Sequence, residues 1–336
     1  MVKSAPRMTS LKTNAQKNIL ICERFAFEAQ IKLKQNKNFN IENFSEEKLA
    51  ATHALIIRSK FKIDEQLLSK TPNLELIVTC TSGFDHINLT QTQKRNICVM
   101  FTPDANARAA AELTWSLLMA SARHILAAHQ DIKSGIWNRE PRLGIELANK
   151  TIGIVGLGRI GSLVAKFASA FNMEVLAFDP YVDEDAFTNS GATRVSYEEI
   201  LKQADFLSFH VPATKETQNM FNRSHIEIVH PELILLNTSR GNVVNEDDLI
   251  KALQEKKIKF AALDVFNKEP LTKESKLLKC DNVILTPHLG AYTSEAFLKA
   301  SLEASLRVID FFENNKTQNT LPLKNDWQSL SFAERT

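Results

Sequence analysis

Three short segments carry side chains whose types suit proton transfer beside an anion-binding group. Asn237-Thr-Ser-Arg240-Gly241 follows the apolar run 233–236, Asp264-Val-Phe-Asn-Lys-Glu269-Pro270 closes the run that begins at Phe260, and Thr286-Pro287-His288-Leu289-Gly290 follows the run 283–285. An arginine placed after a buried strand offers a planar fork that matches a carboxylate, which a lysine's point charge does not. A lone loop histidine is more often merely solvated, but pairing with a carboxylate changes that balance. A histidine held by Glu269 is fixed in one tautomer, and its imidazolium is stabilised, so its pKa rises above the free value of about 6.5. Such a pair can give a proton to a carbonyl oxygen as hydride arrives and take it back in reverse. General acid–base catalysis of this kind is worth roughly 10²–10⁴-fold. Arg240, Glu269 and His288 are therefore the candidate catalytic residues.

These segments need a frame, and the stretch 151–161, TIGIVGLGRIG, supplies its centre. A short β-branched run of the buried-strand type leads into Gly156, Gly158 and Gly161 in G-x-G-x-x-G spacing. Ile160, Leu163, Val164, Phe167, Ala168 and Phe171 then recur at helical spacing. A second apolar run ends at Asp179, eighteen residues past Gly161. Glycines allow a tight turn and close backbone approach, the helix N-terminus faces a pyrophosphate, and the acid reaches ribose hydroxyls. A bare glycine pattern is weak, but with strand, helix and acid in place it points to a dinucleotide. The carboxylate favours NAD, because it would repel a 2′-phosphate.

The totals agree with this frame. With 336 residues, 44% hydrophobic and 24% charged, the chain can build two globular domains. A net charge of +2 excludes a strongly polyanionic partner such as nucleic acid. The longest apolar stretch, around 109–128, is interrupted by Glu112, Arg123 and His124, so no membrane partner is expected. Cys22, Cys80, Cys98 and Cys280 are scattered, with no metal-type pairing. That suits reduced thiols and a cytoplasmic location. Residues before about 18 carry Lys3, Arg7, Lys12 and Lys17 and no acid; they are expected to be a disordered leader.

Along the chain, strands are expected over 18–22, 54–58, 74–79 and 97–101, with residues 25–49 helical or irregular. Asp104 is expected to cap one long helix over 105–134, stopped by Gly135. After the glycine turn, strands are expected over 205–211, 233–237, 260–265 and 283–285, with helices over 197–203 and 246–254. An amphipathic tail helix over 294–315, with Phe297, Leu302, Leu306, Ile309 and Phe312 as its stripe, could return to the first domain and make it discontinuous. Strands alternating with helices imply parallel sheets, and thus a doubly wound α/β architecture.

The motifs GLGRIG (156–161), FHVPAT (209–214), NTSRGNVVNEDDL (237–249), ALDVFNKEP (262–270) and TPHLGAYT (286–293) together resemble the D-isomer-specific 2-hydroxyacid dehydrogenase family. Within it the chain looks most like the phosphoglycerate dehydrogenase branch. The resemblance covers about 18–315. It implies two doubly wound, Rossmann-like domains. A flavodoxin-like substrate domain of 1–104 and 291–336 is interrupted by an NAD-binding Rossmann domain of 105–290. It implies that Arg240 binds the substrate's carboxylate and carbonyl and that His288, paired with Glu269, moves the proton. Cofactor contacts are implied at Ser82, Gly156, Gly158, Arg159, Ile160, Gly161, Asp179, His210, Val211, Pro212 and Thr217. They continue at Thr238, Ser239, Arg240, Asp264, His288, Gly290 and Ala291. Substrate contacts are implied at Arg58, Ser59, Ser82, Gly83, Asn106 and Arg108, beside Arg240 and His288.

By the same resemblance the reaction is oxidation of 3-phosphoglycerate to 3-phosphohydroxypyruvate, the first step of serine biosynthesis, by a homodimer joined through the NAD-binding domain. The alternative substrates are those of glyoxylate, hydroxypyruvate or D-lactate enzymes. Thr79 stands where several members of the phosphoglycerate branch carry an arginine. Glu269 separates the chain from formate dehydrogenases, which are similar but place glutamine there. An NAD-sensing protein, like the corepressors that share this fold, is the reading from another class. The regulatory domains of longer members are not expected within these 336 residues.

Overall fold

The computed structural model describes residues 16–322, which divide into two compact units, 16–102 with 298–322, and 103–297. The expected leader, apart from residues 16 and 17, lies outside the described residues, as does 323–336.

The first unit opens with β1 (Lys17–Ile21), α1 (Phe27–Lys34), β2 (Phe39–Asn43), β3 (Ala54–Ile57), α2 (Glu65–Ser69), β4 (Leu76–Thr79), α3 (Leu89–Lys94) and β5 (Cys98–Phe101). β3 and β4 are buried at every residue, as suits parallel strands covered on both faces.

The second unit contains α4 (Ala107–Ala122), α5 (Ile125–Lys133), β6 (Thr151–Val155), α6 (Arg159–Ala170), β7 (Glu174–Phe178), α7 (Glu184–Ser190), β8 (Thr193–Arg194) and α8 (Tyr197–Gln203). It continues with β9 (Phe206–Phe209), α9 (Arg223–Ile226), β10 (Ile234–Asn237), α10 (Glu246–Gln254), β11 (Phe260–Leu263) and β12 (Val283–Leu285). Its seven strands are parallel in the order β12-β11-β10-β9-β6-β7-β8. The order reverses between β6 and β9, the place where open α/β sheets hold ligands at the strands' carboxyl ends. One apolar core joins the sheet to α4, α6 and α7, and another joins it to α8, α9 and α10.

The chain then returns to the first unit through α11 (Ser294–Asn314) and β13 (Thr320–Leu321). The first sheet has the order β13-β5-β4-β3-β1-β2, parallel except for β13. Ser301 Oγ accepts from Ala26 N (3.2 Å) and Ser305 Oγ donates to Ala29 O (2.9 Å), so α11 packs on the segment that follows β1.

Four expectations need correction. The helix expected over 105–134 is two helices, α4 and α5, broken at His124, whose φ is +52. The Ala122 carbonyl that would continue the helical ladder instead accepts from Ile145 N (2.9 Å). Asp104 does not cap α4; its carboxylate pairs with Arg159 Nε at 2.5 Å. The buried face of α11 is Ala296, Ala300, Ala304 and Val308, whereas Leu306 is 42% exposed. Small residues let this helix approach its neighbours closely, and of the larger apolar residues Phe312 still meets Phe39 of β2 edge-on at 6.0 Å. β2 also lies inside the stretch expected to be helical or irregular. Among the described residues no helix is long and apolar enough to cross a membrane.

Candidate active site

The glycine turn after β6 is a place of backbone contacts. Gly156 has φ +94, and a Cβ there would lie 2.7 Å from His210 O and 2.8 Å from Val211 Cγ1. A Cβ on Gly161 would lie 2.0 Å from Gly156 O. At Gly158 a Cβ would meet nothing within 4 Å, so the outward face of the turn is open. The first helical bond of α6 runs from Ser162 N to Gly158 O (3.0 Å). The N–H groups of Arg159, Ile160 and Gly161 precede it, at the positive end of the helix. Asp179, just past β7, accepts from Leu157 N (2.8 Å) through Oδ2 and from Tyr181 N (2.9 Å) through Oδ1. Each oxygen retains a further acceptor site.

After β9, burial pushes His210 down to about 3, so it is neutral. Its Nε2 lies 2.9 Å from Ser208 Oγ. Thr217 Oγ1 donates to Pro212 O (2.6 Å), and Thr214 N donates to Thr217 Oγ1 (2.9 Å). The hydroxyl thus shapes this loop, and Val211 and Pro212 stand at its start.

The three candidate catalytic residues come from β10, β11 and β12, which are neighbours in the sheet. Asn237 organises the first loop: its Oδ1 accepts from Ser239 N (3.1 Å) and Oγ (2.8 Å), and its Nδ2 donates to Arg240 O (2.9 Å). Thr238 Oγ1 meets Thr114 Oγ1 of α4 at 2.7 Å. A Cβ on Gly241 would fall 2.0 Å from Phe266 C. Only glycine allows that approach, and it presses the Arg240 loop against the loop that carries Glu269.

Glu269 Oε1 accepts from Phe266 N (3.1 Å), and its Oε2 lies 2.7 Å from His288 Nδ1. With Nδ1 so engaged, Nε2 is the nitrogen left to meet a substrate. His288 has φ +55, unusual for a residue with a side chain. Asp264, fully buried, holds this turn. Its backbone O accepts from His288 N (3.0 Å), and its carboxylate accepts from Thr286 Oγ1 (2.6 Å), Leu289 N (2.7 Å) and Gly290 N (2.9 Å). Gly290's amide is therefore committed to Asp264, and Ala291 follows it directly.

Electrostatics follow this geometry. The hydrogen bond to Glu269 raises His288 above its ordinary value, against burial and the Arg240 charge. Partial burial pushes Glu269 up, but its bonds to His288 and Phe266 N and the Arg240 charge carry it below the usual carboxylate range. Burial raises Asp264, partly offset by its three hydrogen bonds.

The other expected contacts are placed separately. Asn106 is buried just before α4, with Oδ1 unpartnered. Arg108 is exposed and pairs with Glu112, one turn along α4, at 3.3 Å. Arg58, Ser59, Ser82 and Gly83 belong to the first unit, in the loops that follow β3 and β4. Thr79 is fully buried, and its hydroxyl meets Thr81 Oγ1 (2.6 Å) and His86 Nε2 (3.1 Å). Thr81 in turn donates to Gly83 O (2.6 Å), which fixes the Ser82–Gly83 turn. That the side chains of Asn237 and Thr81 hold these two loops was not anticipated, although Asn-Thr-Ser after a strand is a local turn signal.

Residues 115–290, more than half of the chain, match the model of the D-isomer specific 2-hydroxyacid dehydrogenase NAD binding domain. The chain belongs to that family. It is 41% identical over 257 residues to a glyoxylate reductase of Thermococcus litoralis, covering 74% of this chain and 77% of the relative. It is 37% identical over 280 residues to a D-3-phosphoglycerate dehydrogenase of Methanocaldococcus jannaschii, covering 83% of this chain and 53% of the relative. The chain spans about half the length of the phosphoglycerate dehydrogenases it matches. Among solved structures it is similar to a D-lactate dehydrogenase of Aquifex aeolicus complexed with NAD and lactic acid. That match has a TM-score of 0.79 and 31% identity, over 89% of this chain and 96% of the other. The residues present fit a dinucleotide. The turn is bare at Gly158, unspent amides begin α6, and a fixed carboxylate closes β7.

Proposed function

We propose that the chain is an NAD-dependent oxidoreductase that interconverts a D-2-hydroxy acid and its 2-oxo acid. The observation that carries this reading is the 2.7 Å contact of His288 Nδ1 with Glu269, on loops packed beside Arg240. NAD, when bound, would supply the hydride acceptor for oxidation and, in its reduced form, the hydride donor for the reverse reaction. The Gly156–Gly161 turn and the α6 amides take the pyrophosphate, and Asp179 takes the ribose hydroxyls. Arg240 binds the substrate's carboxylate and carbonyl oxygen, which orients the reacting carbon. His288 Nε2 removes the hydroxyl proton in oxidation and donates it to the carbonyl oxygen in reduction. Glu269 holds the ring and stabilises its charged form, and Asp264 holds the turn that carries it.

Among substrates we assign 3-phosphoglycerate, with the Arg58–Ser59 turn of the first unit serving the phosphate. Named relatives at 36–38% identity support it. Thr79 favours a second reading, reduction of glyoxylate or hydroxypyruvate, because it adds no cation and its hydroxyl is already bonded. Steady-state rates with phosphohydroxypyruvate, hydroxypyruvate, glyoxylate and pyruvate decide between them. Turnover of hydroxypyruvate without phosphohydroxypyruvate removes the phosphoglycerate assignment. Tight NADH binding with no turnover of any acid removes the enzyme reading.

The raised His288 pKa has a direction that can be measured. Reduction uses the imidazolium, so kcat/KM for the oxo acid falls as pH rises through that pKa. Oxidation uses the neutral ring and rises through it. Glu269→Gln removes the charge that holds the proton, so both limbs move to lower pH, towards 6.5. Profiles that stay in place remove Glu269 from this role. Asp179→Asn retains an acceptor for the turn but loses the charge. It should narrow the preference for NADH over NADPH by about tenfold, or about 1.4 kcal/mol, in calorimetric affinities; an unchanged ratio assigns the discrimination elsewhere.

We further assign a homodimer joined through the second unit. Ile125, Leu126 and Ile132 of α5, with Ile136, Trp137 and Leu143 after it, are each at least 51% exposed. A concentration of exposed apolar residues of this kind marks an interface. Light scattering that reads a monomer at micromolar concentration removes this assignment.

A further inference from the structure

The strand order of the first unit's sheet reverses at β1, with β2 on one side and β3 on the other, and the carboxyl ends of β1 and β3 flank that switch point. In doubly wound sheets the ligand is held there. Glu23 follows β1, and the turn Arg58-Ser59-Lys60-Phe61 follows β3. One carboxylate oxygen of Glu23, Oε2, accepts from both Arg58 N (2.7 Å) and Phe61 N (3.1 Å). The two amides are the ends of the turn, so a single side chain from the neighbouring strand staples it shut. The Phe61 ring meets Phe44 edge-on at 4.9 Å, which anchors the far side.

We propose that Glu23 is a positioning residue for substrate binding: it sets the Arg58–Ser59 turn for the anionic group of the substrate. This rests on the dehydrogenase reading above. Hydrogen bonds to a carboxylate are stronger than neutral ones, and losing both leaves the turn free to sample conformations that do not bind. The residue acts through the turn, so it governs capture of the acid rather than proton transfer or the cofactor.

The test compares the wild-type protein with E23A, E23Q and E23D in steady-state reduction of the best oxo acid, with NADH affinity measured by fluorescence titration. E23A should raise KM for the acid by about tenfold, a loss of about 1.4 kcal/mol, with kcat and NADH affinity within about twofold. E23Q keeps an acceptor in place and should recover most of KM. E23D, with a carboxylate too short to reach both amides, should behave like E23A and carries the test if E23A does not fold. In the background of Arg58→Ala the E23A effect should largely vanish, since both act through one turn. A folded E23A with wild-type KM, or effects of E23A and Arg58→Ala that simply multiply, overturns the proposal. Absence of wild-type turnover with every acid would instead remove the dehydrogenase reading.

Discussion

Replacement of His288 by alanine should lower kcat by roughly 10²–10⁴-fold, the usual worth of a positioned acid–base group, while NADH binding survives. The two readouts separate because the residues belong to different parts of the second sheet. The glycine turn, Asp179 and His210 follow β6, β7 and β9, whereas His288 follows β12. One complication comes from the backbone. His288 has φ +55, a conformation that strains alanine, so a loss of rate could come from a displaced turn. Asparagine tolerates that conformation, and His288→Asn therefore isolates the chemistry. Both variants should lose kcat alike. If His288→Asn keeps wild-type kcat, the proton is handled elsewhere.

Replacement of Arg240 by alanine should lower kcat/KM by roughly 10²–10⁴-fold, as expected when two charge-assisted hydrogen bonds of about 1.5–3 kcal/mol each are lost. The backbone beneath the side chain is held by Asn237 Nδ2 on Arg240 O and by the contact of Gly241 with Phe266, so truncation removes the fork, and its own bond from Nη1 to Ser239 O (2.7 Å), while these two restraints on the loop remain. Arg240→Lys keeps the charge but not the paired geometry, and should recover only part of the loss. Kinetics across a concentration series of the oxo acid measure both effects. A lysine variant equal to wild type would mean that charge alone is needed, and an alanine variant with normal kcat/KM would remove Arg240 from substrate binding.

Much of this site was legible because its parts follow strands. A buried apolar run predicts where a strand ends, and a polar residue just past that point falls at the ligand-binding edge of a parallel sheet. Arg240, Glu269 and His288 were found in that way, and the resemblance added their roles. The side chains that hold the loops were less visible. Glu23 lies 35 residues before the Arg58 amide it binds, so no local pattern joins them. Asp264 was recognised as a polar strand end, but its three-fold hold on the His288 turn depends on two loops brought together by the fold. The helix break at His124 depends on the distant Ile145 amide, and propensity alone would continue through it. β2 escaped notice because Phe39-Asn-Ile-Glu-Asn43 has little β-propensity and is an edge strand paired only with β1.

β12 has three residues and is hydrogen-bonded on one side only, to β11, whereas β6 lies between β7 and β9. Short edge segments open at lower free-energy cost than strands in the middle of a sheet. The proton-handling end of the second unit is thus built at its rim, and the nucleotide end at its keel. Fraying of that rim would disperse the proton relay while the nucleotide cradle stayed intact, leaving a state that is charged with coenzyme yet chemically silent.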